Sequence, residues 1–321
     1  MKFYSHLLTI SQTPSKVHCH SKIILKKARE ISEKLGIADS ELYNHHTTMT
    51  NYVYNNAPVH KMITAVVFYD VLYFMDDFFG EDTQKGILPD INKVLNIWAG
   101  NDNYYHSSDE RLSNLYKGLG LISSEFRNNS SKFHFNKLTK SISNHLQYSL
   151  SPYLFKSIKE YFEIRLHTGG MLPVIDLIEY MYDIYLTEEL IQQIPELSKI
   201  RYECALIGGL SNDIFSYPKE KHSDYNLINV IIKYNNNLSL FEATKQSIEE
   251  VNLIHQNYQN THKTIQRKLT GFTEGIKQSL TEYLNALDVV VSASYHWQKS
   301  TKRYMHEKHI LEDMKLEISY S

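Results

Sequence analysis

"LSNDIFSYPKE", residues 210–220, sets an amide, a hydroxyl and a carboxylate at Asn212, Ser216 and Glu220, with Pro218 between the last two. In a helix of 3.6 residues per turn, each step of four residues overshoots a full turn by about 40°, so the three side chains fall on one face. Eight residues of helix rise roughly 12 Å, so asparagine and glutamate must lean toward the central serine for their oxygens to meet at one ion. Pro218 lacks an N–H and its ring opposes the carbonyl of Ile214, which bends or ends a helix. Such a bend is expected to tilt Glu220 back toward Ser216. Lys219 adds a mobile cation suited to phosphate oxygens. A plain helix C-terminus entering a polar loop would give the same letters, so the rest of the chain has to decide.

The second informative stretch is "FMDDFFGED", residues 74–82, which follows an apolar run from Met62 to Met75 broken by one charge, Asp70. That run predicts a helix over 62–79 buried on every side. It delivers Asp76 and Asp77 to a helix C-terminus, where the macrodipole already presents about half a negative charge. Asp77 and Glu81 stand four apart with Asp76 beside them, so their oxygens can converge. Carboxylates gathered at the unfavourable dipole end call for a cation, and Mg²⁺ takes such oxygens together with substrate phosphates and water. A solvated acidic helix end is the competing reading. Whether Glu81 or Asp82 is the third acid stays open.

Composition sets the frame. The 321 residues carry 34 basic and 36 acidic side chains, a formal charge of −2, which leaves no footprint for nucleic acid. Hydrophobic residues reach 42%, too many for disorder. The apolar run "MITAVVFY" is too short to span a bilayer, and "MKFYSHLLTISQ" at the amino terminus does not read as a secretory signal. Two cysteines, Cys19 and Cys204, suit a reducing compartment, so a cytoplasmic protein is expected. Only 12 glycines and 7 prolines disfavour a chain of many short connections. Helical periodicity recurs at 89–99, 109–128, 136–148, 152–167, 172–186, 195–217, 240–268 and 273–298, with an earlier amphipathic segment closing at Gly36. No repeat or strand-hairpin signal interrupts it. One all-α domain over residues 1–321, with ten or more helices, is expected.

"DDFFGE" together with "NDIFSYPKE" resembles the paired metal-binding motifs of class I terpene synthases of the microbial type. Such enzymes carry a diphosphate-sensing arginine ahead of the second motif, and "FEIRLHTGG" places Arg165 47 positions before Asn212. They end with an Arg-Tyr pair, and "WQKSTKRYMHE" supplies Arg303 and Tyr304. Four motifs stand in order across nearly the whole chain, though the matching residues occupy only those four windows.

The resemblance implies a helical bundle around a central apolar cavity and a reaction in which an allylic isoprenyl diphosphate loses diphosphate and cyclises. It implies Mg²⁺, three ions with bound diphosphate. Asp76, Asp77 and Glu81 would hold one side of the cluster, and Asn212, Ser216 and Glu220 the third ion. Arg165, Lys219 and Arg303 would bind diphosphate oxygens, with Tyr304 donating a hydrogen bond. The glycines after Arg165 permit an unwound helix end, and the resemblance assigns Gly169 a backbone carbonyl facing substrate. The linking position between them, often aspartate in the family, is Thr168 here. A carbocation needs a dry cavity with aromatic faces, for which Tyr73, Trp297 and Phe78 are the candidate walls; ordinary core packing is the alternative for each.

A chain-elongating prenyltransferase would be expected to repeat the aspartate-rich motif, and a proton-initiated cyclase would need Asp-x-Asp-Asp; neither is present. A helical metallohydrolase is disfavoured, since "HEKH" at 306–309 has the wrong spacing. A non-catalytic helical interaction protein would explain none of the motif order. Chain length and type lean toward farnesyl diphosphate, with geranylgeranyl diphosphate second; monomer or homodimer stays open.

Overall fold

The computed structural model describes residues 2–38, 48–79, 90–103, 105–150, 154–235 and 238–316. It is 76% helical. Among the described residues the one extended pairing is an isolated parallel bridge between Phe3 and Leu311. The helices are α1 (Ser21–Leu35), α2 (Met49–Val53), α3 (Val59–Phe79), α4 (Ile91–Ala99), α5 (Glu110–Asn128), α6 (Lys132–Leu150), α7 (Ile158–Thr168), α8 (Met171–Tyr182), α9 (Glu188–Gln193), α10 (Glu196–Glu220), α11 (Leu227–Tyr234), α12 (Leu240–Lys268) and α13 (Glu274–Ser300). The expected all-α class holds. No described helix is long and apolar enough to cross a membrane.

The chain forms two compact units, one of residues 1–15, 152–175 and 188–321 and the other of residues 16–151 and 176–187. In the second, α3 packs against α1, α2 and α5. Its apolar sequence is explained by burial: Val66, Phe68 and Val71 are wholly enclosed. The single charge within the run, Asp70, is enclosed as well and accepts a 2.6 Å hydrogen bond from the Ser32 hydroxyl. Trp98 stacks on Phe135 and, with Phe68, Phe126 and Tyr180, builds an aromatic core. Buried Lys61 holds the end of α8, donating to the Tyr180 carbonyl and to Asp183, which has a left-handed φ of 55°. That turn explains why α8 ends at Tyr182 rather than at the 186 suggested by periodicity.

In the first unit α10 is the central element, with α7, α11, α12 and α13 packed on it. Its length corrects one expectation. The helix runs through Pro218 to Glu220 rather than ending near 217. Helix α11, unassigned from sequence, starts on an Asn226 cap whose side chain accepts from the Ile228 N–H. Helix α12 starts on a reciprocal capping box between Ser239 and Glu242.

Candidate active site

Helix α10 presents Asn212, Ser216 and Glu220 as its spacing requires. The Ser216 hydroxyl donates to Glu220 Oε2 at 2.7 Å, so the last two oxygens do meet. Asn226 fixes that carboxylate: its buried Nδ2 donates to Glu220 Oε2 at 3.1 Å and to the Asp213 carbonyl at 2.7 Å.

Asn212 bridges two of the other candidate residues. Its Oδ1 accepts from Arg165 Nη2 at 3.2 Å, and its Nδ2 donates to the Tyr304 hydroxyl at 2.8 Å. Arg165 reaches α10 because the backbones come close. A Cβ on Gly169 would stand 2.9 Å from the Arg165 carbonyl and 3.4 Å from Gly209 Cα. Gly169 caps α7, its N–H donating to the Arg165 carbonyl, and Gly170 turns the chain with a φ of 67° that side chains rarely adopt. The expected helix break is therefore present at the expected glycines.

Sequence reasoning missed the partner that dominates Arg165. The guanidinium also donates to the Gly209 carbonyl at 3.2 Å and forms a 2.7 Å ion pair with Asp213, whose side chain is fully buried. Asp213 Oδ2 accepts from the Tyr161 hydroxyl at 2.5 Å and from the Leu227 N–H at 3.1 Å. Burial lifts its pKa above the usual carboxylate range, against the pull of Arg165 and Tyr161. Burial works against the charge on Arg165, but Asp213 outweighs it and holds the guanidinium above its ordinary range. Aspartate beside a candidate ligand carries no signal by spacing; only the fold reveals it.

The Arg303-Tyr304 pair sits on a short 3-10 turn, Lys302–Tyr304, after α13. The Arg303 guanidinium lies 5.8 Å from the Tyr304 ring, and Trp297 meets that ring edge-on at 6.0 Å. Trp297 is thus buried against Tyr304. Burial raises the Tyr304 phenol above its usual value, although Arg303 pulls the other way. His309, from the dismissed "HEKH", holds the following segment onto α10: Nε2 donates to the Phe215 carbonyl at 2.9 Å and Nδ1 accepts from the Leu311 N–H at 2.9 Å. That pattern needs a neutral ring, and burial lowers its pKa accordingly.

Lys219 is exposed on the last turn of α10. In the other unit, Tyr73 lies on α3 with its ring 6.3 Å from Tyr69. Asp76, Asp77 and Phe78 belong to the last turn of the same helix, their side chains outside the described ones. Glu81 and Asp82 lie outside the described residues altogether.

Among the described residues no group of three or more His, Cys, Asp or Glu is placed to hold a metal ion. The oxygen set on α10 is amide, hydroxyl and carboxylate, hard donors of the kind Mg²⁺ accepts. Among the described residues, two buried guanidinium nitrogens, Arg165 Nε and Arg303 Nε, have no hydrogen-bond partner. Orphaned cationic donors beside that set suit an anion of the phosphate class.

This helical architecture is that of the class I terpene synthases. Hedycaryol synthase in complex with HEPES superposes with a TM-score of 0.78 at 16% identity, covering 90% of this chain and 96% of that one. A point variant of cucumene synthase superposes with a TM-score of 0.76 at 14% identity, covering 90% of this chain and 98% of that one. The family model for terpene synthase family 2, C-terminal metal binding, matches residues 67–257, and the chain belongs to that family. Similar proteins include 10-epi-cubebol synthase of Sorangium cellulosum, 25% identical over 44% of this chain and 44% of that protein. Alpha-muurolene synthase of Coprinopsis cinerea is 25% identical over 46% of this chain and 34% of its own length. The chain thus spans less than half the length of these two curated relatives. A longer match, 22% identical over 78% of this chain and 75% of the relative, is to (+)-eremophilene synthase of Sorangium cellulosum.

Proposed function

We propose that this chain is a Mg²⁺-dependent terpene synthase that ionises an allylic isoprenyl diphosphate, farnesyl diphosphate by preference, and cyclises the resulting cation. The observation that carries the reading is Asn212 held between Arg165 and Tyr304, with Ser216 and Glu220 joined further along the same helix. The structural neighbours are microbial sesquiterpene synthases, which favours a fifteen-carbon substrate over geranylgeranyl diphosphate.

In this reading the allylic C–O bond breaks and its electron pair leaves with the diphosphate oxygen. Bound Mg²⁺ supplies Lewis-acid stabilisation of that charge. Asn212, Ser216 and Glu220 are the oxygens that would hold one ion, and Asp76, Asp77 and Glu81 would supply the remaining protein ligands. Arg165 and Arg303 bring fixed positive charge to where the negative charge develops, which lowers the barrier without reorganisation. Tyr304 accepts from Asn212 and keeps its own O–H to donate. Lys219, exposed on the last turn of α10, would reach the diphosphate from outside, and the Gly169 carbonyl would face the allylic end. Trp297, Tyr73 and Phe78 would wall the cation.

The test is incubation of purified protein with ten-, fifteen- and twenty-carbon diphosphates and Mg²⁺, followed by hydrocarbon analysis and diphosphate release. Cyclic hydrocarbon from the fifteen-carbon substrate, lost on chelation, is expected. Hydrocarbon only from the twenty-carbon substrate would make the chain a diterpene synthase, and no release from any substrate would overturn the enzyme reading.

A further inference from the structure

Asp213 lies one position beyond the first candidate ligand and on none of the three ligand positions, yet it ties α10 to two other helices. Its carboxylate joins Arg165 and Tyr161 of α7 to the first N–H of α11, at Leu227. Its own carbonyl accepts from Asn226, the side chain that also holds Glu220. A single residue therefore fixes the guanidinium that meets Asn212 and the helix start that orients Glu220. Burying an ion pair this completely costs desolvation that a neutral hydrogen-bonded group would avoid, so retaining a carboxylate needs a reason beyond packing.

We infer that Asp213 is a positioning residue for diphosphate recognition, holding Arg165 in register with Asn212 so that the orphaned guanidinium nitrogen is presented to the anion. The inference rests on the reading above, in which Arg165 binds diphosphate. The Asp213→Asn side chain can keep an oxygen for Tyr161 and Leu227, but it turns an NH₂ toward Arg165, which needs an acceptor. The packing survives while the arginine loses its anchor.

The measurement is affinity for inorganic diphosphate with Mg²⁺, by calorimetry on the full chain, for wild type, D213N, R165Q and the double variant. Loss of a charge-assisted anchor is expected to weaken D213N by about tenfold. The double variant is expected to bind no more weakly than R165Q alone, because Asp213 acts through Arg165. Wild-type affinity in D213N, or losses that multiply in the double variant, would overturn the inference. If D213N fails to fold, Tyr161→Phe, which loosens the carboxylate without removing it, replaces it in the same cycle: a several-fold loss confined to the Arg165 background supports the inference, and none overturns it. Wild-type protein that fails to bind diphosphate would instead sink the functional reading itself, and the inference with it.

Discussion

The Asn212 amide donates to the Tyr304 hydroxyl at 2.8 Å across 92 positions of sequence, tying the centre of α10 to the turn that follows α13. Burial holds the Tyr304 phenol protonated, so accepting from Asn212 leaves its proton free for an anion. Tyr304→Phe keeps the ring against Trp297 and removes only that proton and acceptor. Turnover is expected to fall about tenfold, the worth of one hydrogen bond to a charged group, with the melting temperature little changed. Asn212→Ala and Asp76→Ala should each nearly abolish turnover with an unaltered far-UV circular dichroism spectrum. Full activity in either would remove that position from the ligand set.

Asn226 gives a prediction specific to metal. Its Nδ2 holds the Glu220 carboxylate and its Oδ1 caps α11. Asn226→Asp keeps the cap oxygen but replaces the donor facing Glu220 with a second anion. The Mg²⁺ concentration for half-maximal diphosphate release should shift several-fold, while far-UV circular dichroism stays unchanged. An unshifted magnesium curve would show that Glu220 needs no such hold.

Two glycines separate backbone clash from side-chain clash. A Cβ at Gly169 would meet the Arg165 carbonyl at 2.9 Å, whereas the three atoms nearest to one at Gly208 would belong to the flexible Met171 side chain, at 2.7–2.9 Å. Methionine has three rotatable bonds and yields, and a helix carbonyl does not. Gly169→Ala should therefore lose about 1–3 kcal/mol, the usual cost of overpacking, together with most activity, since Arg165 stands on the displaced turn. Gly208→Ala should cost under about 1 kcal/mol. Chemical denaturation of both variants checks the ordering.

Acid should weaken the unit built on α3 through His134. The ring is fully buried, its Nε2 donating to the Asp176 carbonyl at 2.7 Å, and burial lowers its pKa to about 4. The unfolded chain titrates near 6.5, so between those values it binds the extra proton and stability falls as pH drops. From pH 7 to pH 5 the loss attributable to this group is on the order of 2 kcal/mol. His134→Gln, which keeps a donor but does not titrate, should flatten the urea-midpoint profile across that window. An equally steep profile in the variant would assign the acid sensitivity elsewhere.

How much of this can be read in the sequence varies by residue. Asn212, Ser216 and Glu220 stand out as candidate ligands by their spacing, and the long helices α10, α12 and α13 by periodicity. Asp213 does not, because an aspartate next to a candidate ligand has no pattern of its own, and its partners Tyr161 and Leu227 lie 52 and 14 positions away. Helix α11 is hidden because eight mostly apolar residues between asparagines carry too few turns to show a period. Pro218 reads as a helix end and is not one: the helix runs on to Glu220, giving up only the single bond that an N–H at 218 would make to the Ile214 carbonyl. His309 loses its apparent metal meaning and gains a structural one only once Phe215 and Leu311 are placed around it.

The turn bearing Arg303 and Tyr304 is steadied from the other end of the chain, through Asp313. Its Oδ1 accepts from the Ser5 N–H at 2.8 Å, its Oδ2 from the Ser5 hydroxyl at 2.5 Å, and Lys299 pairs with it at 2.9 Å. The Ser5 hydroxyl also lies 2.7 Å from the Tyr295 hydroxyl, and the Glu312 N–H donates to the Phe3 carbonyl. Residues 299–313 thus enclose the Arg-Tyr pair between α13 and a carboxylate clamped to the amino-terminal segment. Asp313→Ala removes the clamp without touching the pair. The expected outcome is a several-fold rise in KM for the diphosphate substrate, with faster amide exchange at residues 2–12 and 301–316. Exchange that quickens with KM unchanged would show that the Arg-Tyr turn holds its place without the amino-terminal segment.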